Sequence, residues 1–286
     1  MSYNQNFTIA STNGESFNMI FVDTSSNAIA SSASNTGLWY SNDSGQNWKL
    51  SNKIDNFFKS VYMVGINAIA GSASNDGLWY SSNSGQKWFQ SDKIDNSFNT
   101  VYMDGTNAIA CTYSNTGLWY SSDSGQTWNQ SDKIDNDFYS IYMIGTNAIA
   151  GSASNTGLWY SSNSGQTWKQ SNTNTMGYFR SVHMIGTNAI ACSYSNAKLW
   201  YSSNSGQTWF QSNKIDNSFN SVYMIGTNAI ACSASNTGLW YSSNSGQTWF
   251  QSDKIDNSFN SVYMIGTNAI ASSASNTGLW YSNNSG

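Results

Sequence analysis

Apolar and polar positions alternate along this chain in short runs, and no run sustains a helical period. Between Ser221 and Ile225 the alternation carries Val and Tyr, the residue types of a half-buried strand. Residues 228–233 form a second such run, with small side chains on one face. A third run, Gly238 to Ser242, contains Leu-Trp-Tyr, and a fourth, Thr248 to Ser252, contains Trp249. The intervening Gly-Thr-Asn, Ser-Asn-Thr-Gly and Ser-Asn-Ser-Gly segments have turn chemistry. The pattern predicts four short antiparallel strands joined by tight turns.

This unit recurs. Asn-Ala-Ile-Ala begins at Asn27, Asn67, Asn107, Asn147, Asn188, Asn228 and Asn268, at spacings of 40, 40, 40, 41, 40 and 40. The longer step falls at residues 172–178, where Lys-Ile-Asp-Asn of the five regular links is replaced. Residues 181–220 and 221–260 agree at 35 of 40 positions, the mark of recent amplification or of design. Seven four-stranded units predict an all-β, seven-bladed β-propeller, one antiparallel sheet per blade, in a single domain spanning residues 1–286. The seventh copy stops at its third turn, and Gln5-Asn-Phe-Thr-Ile-Ala-Ser11 resembles Gln46-Asn-Trp-Lys-Leu-Ser51. The N-terminal segment is therefore expected to complete the last blade and close the ring, with Phe7 in the tryptophan slot.

Composition narrows the function. Aromatic residues (13 Trp, 17 Tyr, 13 Phe) supply a sizeable core, while charged residues are only 9% of the chain. A net charge of -4 disfavours nucleic-acid binding, which needs cations for the phosphates. No apolar run is long enough to span a membrane as a helix, and residues 1–10 have no signal-peptide pattern. Cys111, Cys192 and Cys232 all follow Asn-Ala-Ile-Ala, where other copies have Gly or Ser. They read as small buried strand positions, too far apart to pair, which points to a reducing compartment such as the cytoplasm.

One motif stands out. The turn Ser41-Asn-Asp-Ser-Gly-Gln-Asn-Trp48 recurs as Ser121-Ser-Asp-Ser-Gly-Gln-Thr-Trp128, with Asn in place of Asp at five other copies. It resembles the Asp-box (BNR) repeat, Ser-x-Asp-x-Gly-x-Thr-Trp, in every blade. The resemblance implies a propeller. It leaves function open, because propellers of that family include sialidases, other glycosidases, lectins, sorting receptors and assembly factors. The chemistry of the box is structural. Asp43 and Asp123 accept backbone hydrogen bonds, Gly45 and Gly125 take positive φ, and Trp48 and Trp128 pack across the hairpin. With Asn in five boxes, a calcium site is not expected.

The residues argue against catalysis. Sialidases grip a carboxylate with three arginines, and this chain has only Arg180. Other glycosidases need a placed carboxylate pair, and Glu15 is the sole glutamate. Asp55, Asp95, Asp135, Asp216 and Asp256 recur in Lys-Ile-Asp links and read as solvated loop contacts. His183, the sole histidine, replaces a Tyr found at 62, 102, 142, 223 and 263 and reads as a core or channel substitution. No catalytic residue, metal site or cofactor is expected.

Two binding readings remain. In the first, the turns after the second strand form repeated weak sugar sites. Asn35, Asn75, Asn115, Asn155, Asn236 and Asn276 would bond hydroxyls beside Trp39, Trp79, Trp119, Trp159, Trp240 and Trp280. Blade five, with Asn196-Ala-Lys198 in place of Asn-Thr-Gly, would bind worst. In the second, the propeller is a scaffold for a protein partner and has no small-molecule ligand.

Overall fold

The computed structural model describes residues 17–284 except 34–35, 53–55, 75, 93–95, 113–115, 133–135, 155, 173–176, 195–197, 214–216, 236–237, 253–257 and 275–277. Its strands form seven antiparallel sheets, each a meander in chain order. Blade two shows the plan: Phe58–Val64, Asn67–Ser72, Leu78–Ser81 and Phe89–Gln90. Blades one and three to six repeat it, and blade seven has Phe259–Ile265, Asn268–Ser273 and Leu279–Ser282 among the described residues. The expected all-β, seven-bladed propeller is therefore present, without helices among the described residues. The expected closing strand, Gln5 to Ser11, lies outside them.

Blades pack by setting large side chains of one against small side chains of the next. Ile29 and Leu38 of blade one enter a shell of Phe58, Val61, Met63, Ala68, Ala70 and Trp88 from blade two. Ile69 and Leu78 do the same against blade three, and the motif continues around the ring. The alanines of Asn-Ala-Ile-Ala keep the central strand thin enough to receive the neighbour, while its Ile reaches into the following blade. Each buried Ile or Leu contributes roughly 1.5–3 kcal/mol. Hydrogen bonds stitch the same junctions. Ser51, Ser91, Ser131, Ser171 and Ser212 each donate from Oγ to a turn-glycine carbonyl of the next blade at 2.5–2.6 Å. The cysteines lie within this packing and are fully buried. Burial pushes the thiols of Cys111 and Cys232 up to about 12, and that of Cys192 up as well.

The first and last blades depart from the pattern. By strand pairing, Ile20 and Val22 hold the positions of Val61 and Met63. Yet Ile20 is 52% exposed and Val22 48%, against 0% and 1% for their counterparts. On the far side, Ile270 and Leu279 of blade seven are 42% and 60% exposed, where Ile29 and Leu38 are buried. An added Cβ on Gly85, Gly125, Gly165, Gly206 or Gly246 meets an isoleucine Cγ2 of the preceding blade at 2.4–2.6 Å, whereas on Gly45 it meets only Trp48. The faces that blades one and seven would turn toward each other are both uncovered.

Candidate functional site

The turns before the fourth strands consume their own polar groups. Ser41 Oγ donates to Asp43 Oδ1 at 2.6 Å, and the Gly45 amide donates to Ser41 Oγ at 3.0 Å. Asn47 donates to the Asp43 carboxylate from its backbone at 2.9 Å and its side chain at 2.7 Å. The backbone donor is the main cause holding the Asp43 carboxyl down at about 2. At Asp123, desolvation raises the pKa, but donors from Thr127 and Ser121 outweigh it and hold the group below its usual value. Asn163 accepts the Thr167 amide at 3.0 Å in the same way, which explains why Asn replaces Asp freely. Gly45 and Gly125 have φ of 83° and 84°. Trp48 is buried, and Trp128 is buried with its indole N–H donating to the Gly125 carbonyl at 2.9 Å.

On the proposed sugar face, Asn35, Asn75, Asn115, Asn155, Asn196, Asn236 and Asn276 lie outside the described residues, as do the Lys-Ile-Asp triplets of the links. The tryptophans are described. Trp39, Trp79, Trp119, Trp159, Trp240 and Trp280 each meet a phenylalanine of their own blade edge-on, with centroids 6.1–6.5 Å apart. They are partly to fully buried, so most of each ring belongs to the blade interior. Trp79 donates its N–H to the Asp76 carbonyl at 3.2 Å, while the N–H groups of Trp119 and Trp240 are buried without a partner among the described residues. In blade five, Lys198 does not take the positive φ of Gly37, Gly77, Gly117, Gly157, Gly238 and Gly278.

Two aromatic features were not singled out in the sequence as sites. Around the axis, Phe21, Tyr62, Tyr102, Tyr142, His183, Tyr223 and Tyr263 stand in one arc, with successive centroids 4.0–4.6 Å apart. Burial pushes the Tyr62 phenol up to about 12 and raises Tyr102, Tyr142 and Tyr223 as well. Burial pushes His183 down to about 3, and both its ring nitrogens are buried without a partner among the described residues. The recurrence of Tyr at one strand position was the available signal.

At the outer rim, Phe89, Phe210 and Phe250 are 41%, 52% and 53% exposed. Each leans on a third-strand tyrosine: Tyr80, Tyr201 and Tyr241, at 5.6–5.7 Å. Their sequence signal is a Phe directly after the turn tryptophan. Arg180 is engaged, 3.8 Å over the Tyr194 ring and donating to Asn220 Oδ1 at 2.5 Å. Among the described residues no three His, Cys, Asp or Glu side chains gather as a metal site.

No protein-family model matches the chain, and no curated protein matches it. Solved structures do. The computationally designed Ika8 protein superposes with a TM-score of 0.73 at 8% identity, over 93% of this chain and 82% of that one. YCF48 bound to D1 peptide gives 0.66 at 16%, over 92% and 89%. The GH74 xyloglucanase from Xanthomonas campestris gives 0.70 at 13%, over 95% of this chain but 52% of the enzyme. At such identities the likeness is one of fold.

Proposed function

We propose that this protein is a non-enzymatic binding propeller that docks protein segments through the aromatic pairs on its outer rim. The observation that carries the reading is the exposure of Phe89, Phe210 and Phe250, each braced by a tyrosine. A large ring held in place and left in water is the usual anchor of a protein interface, because covering it loses little side-chain freedom and removes much apolar surface. The adjoining fourth strands are only two residues long, so pockets and rings rather than an extended strand edge would set specificity. YCF48, a structural neighbour, is seen with a bound peptide, which agrees with this use of the fold. The ionisable groups support binding over hydrolysis. His183 stays neutral in the aromatic arc, Arg180 is occupied, and the Asp43 and Asp123 carboxylates are spent within their turns.

A lectin-like reading has one observation in its favour. The indole N–H groups of Trp119, Trp200 and Trp240 are buried at the same place in three blades without a partner among the described residues, those of Trp119 and Trp240 beside turns that carry candidate asparagines. A polar ligand there would satisfy a repeated need. Parallel arrays separate the readings. The proposal expects micromolar binding to peptides bearing aromatic or aliphatic side chains and silence on glycans. A glycan signal with no peptide binding would replace it by the lectin-like reading.

A further inference from the structure

We infer that the link-facing end of blade five is a second docking point, built from Tyr178, Arg180, Tyr194 and Lys198, and that it takes a carboxylate of an acidic peptide segment. The inference rests on the reading of the chain as a protein-docking propeller, though not on its rim. The sequence marks the place. Residues 181–220 and 221–260 differ at only five positions, where the first copy has His183, Tyr194, Ala197, Lys198 and Asn213. Three of these, with Tyr178 and Arg180 just upstream, belong to one end of blade five. Tyr194 stands where five other copies have Ala, and Lys198 where six have Gly. Arg180 stands where four other copies have Asn, and Tyr178 where four have Ser. In so uniform a chain, departures gathered at one spot make that blade unlike its neighbours there.

The backbone brings the four residues to one end. The Tyr194 amide donates to the Tyr178 carbonyl at 3.0 Å, and the Ser193 amide to the Lys198 carbonyl at 2.9 Å. Between Phe179 and Ser181 the pairing with the second strand shifts register, so Arg180 sits at a bulge, which re-aims its side chain. The guanidinium lies 3.8 Å over the Tyr194 ring and donates one N–H to Asn220 Oδ1 of blade six. Asn220 is itself fixed, its side-chain amide donating to the Phe259 carbonyl at 2.8 Å. These contacts engage one face and one N–H of Arg180 and hold it in place. The rest of the fork faces no carboxylate among the described residues. Lys59 holds the same bulge position in blade two and donates to Asn99 Oδ1 at 2.9 Å. There, however, Ala73 and Gly77 stand in place of Tyr194 and Lys198.

The arrangement fits one chemistry. A planar fork held by stacking matches the two oxygens of a carboxylate, and holding it beforehand lowers the entropy lost on binding. An exposed ion pair alone adds little affinity, so the flanking rings carry the rest. Tyr178 and Tyr194 are 41% and 43% exposed and offer apolar area to the residues beside the carboxylate. Lys198 supplies a second charge for a neighbouring acidic residue. Two cations match a short acidic stretch. A nucleic acid draws its affinity from many phosphate contacts, and a chain of net charge -4 opposes such a polyanion elsewhere on its surface.

The test titrates the full chain into two fluorescein-labelled peptides, Gly-Glu-Glu-Phe-Glu-Glu-Gly and its counterpart with Gln for Glu, and reads fluorescence anisotropy. Arg180→Asn, Tyr194→Ala and Lys198→Gly return blade five to residues that other blades carry, so each should melt within a few degrees of wild type. Wild type should bind the Glu peptide at least tenfold more tightly than the Gln peptide, and the margin should shrink as salt rises. Arg180→Asn should abolish the preference, and Arg180→Lys, which keeps the charge without the fork, should not restore it. Tyr194→Ala should weaken binding of the Glu peptide at least threefold. Equal binding of both peptides by wild type, a Glu preference that survives Arg180→Asn, or displacement of the Glu peptide by an equal concentration of a short DNA oligonucleotide would overturn the proposal. A Glu preference that Arg180→Asn removes and the Phe210→Ser/Phe250→Ser double variant keeps would uphold it even where the rim reading fails.

Discussion

His183 is the one place where the axial arc exchanges a phenol for a titratable base, and its surroundings decide its charge. It stacks between Tyr142 and Tyr223, with no partner for either nitrogen among the described residues. Burial holds its pKa at about 3, against about 6.5 in an unfolded chain. The folded state thus binds the proton less readily than the unfolded state. The stability tied to neutral His183 is fully present above pH 6.5 and is lost as pH falls toward 3. At pH 5 the loss is about 2 kcal/mol. His183→Tyr restores the ring found in five other blades, so its melting temperature should exceed that of wild type by more at pH 5 than at pH 7.5. A gap that is constant with pH would refute the burial account. The exchange itself was legible in the sequence, since Tyr recurs at 62, 102, 142, 223 and 263. The stacking was not, because period-two alternation gives the face of a strand but not which rings meet across blades.

At the scale of the element, the turn before the fourth strand shows what repetition can and cannot reveal. Ser44, Ser84, Ser124, Ser164, Ser205 and Ser245 all have positive φ of 55–61°, immediately before a glycine that does too. The glycine was predictable from turn chemistry, whereas the serines are held there by surrounding contacts, as in the Ser84 amide donating to the Ile66 carbonyl at 2.8 Å. Gly85 also has no space. A Cβ there would lie 2.4 Å from Ile29 Cγ2, while Gly65, at φ 59°, has nothing within 4 Å. Both Gly85→Ala and Gly65→Ala incur left-handed strain of about 1–2 kcal/mol, and Gly85→Ala adds overpacking of about 1–3 kcal/mol. Chemical denaturation should rank Gly85→Ala as the more damaging, and equal losses would contradict the packing shown. The fourth strand is shorter than its sequence run, Phe250–Gln251 against Thr248 to Ser252. Asn244 takes the Thr248 amide and Asn213 takes the Trp249 amide, so side chains from a turn and from the neighbouring link use donors that a ladder would need.

At the scale of the molecule, the forty-residue period made the number of blades and the strands per blade legible before any coordinates. A unit that cannot cover its own faces must stack on copies of itself. The placement of the large tryptophans was less legible. Trp39 and its equivalents were read as a sugar platform, and the structure sets much of each ring against a phenylalanine inside the blade. Three exposed phenylalanines instead follow the turn tryptophans, at positions where copies differ: Phe89, Phe210 and Phe250, but Lys49, Asn129 and Lys169 elsewhere. The proposed rim binding therefore depends on departures from the repeat as much as on the repeat. The measurement that meets this claim most directly is a calorimetric titration of the best array-selected peptide into wild type and into the Phe210→Ser/Phe250→Ser double variant. Loss of two anchoring rings should weaken binding at least tenfold while leaving the melting temperature within a few degrees, since both rings already stand in water. Equal affinity in the two proteins would contradict the account.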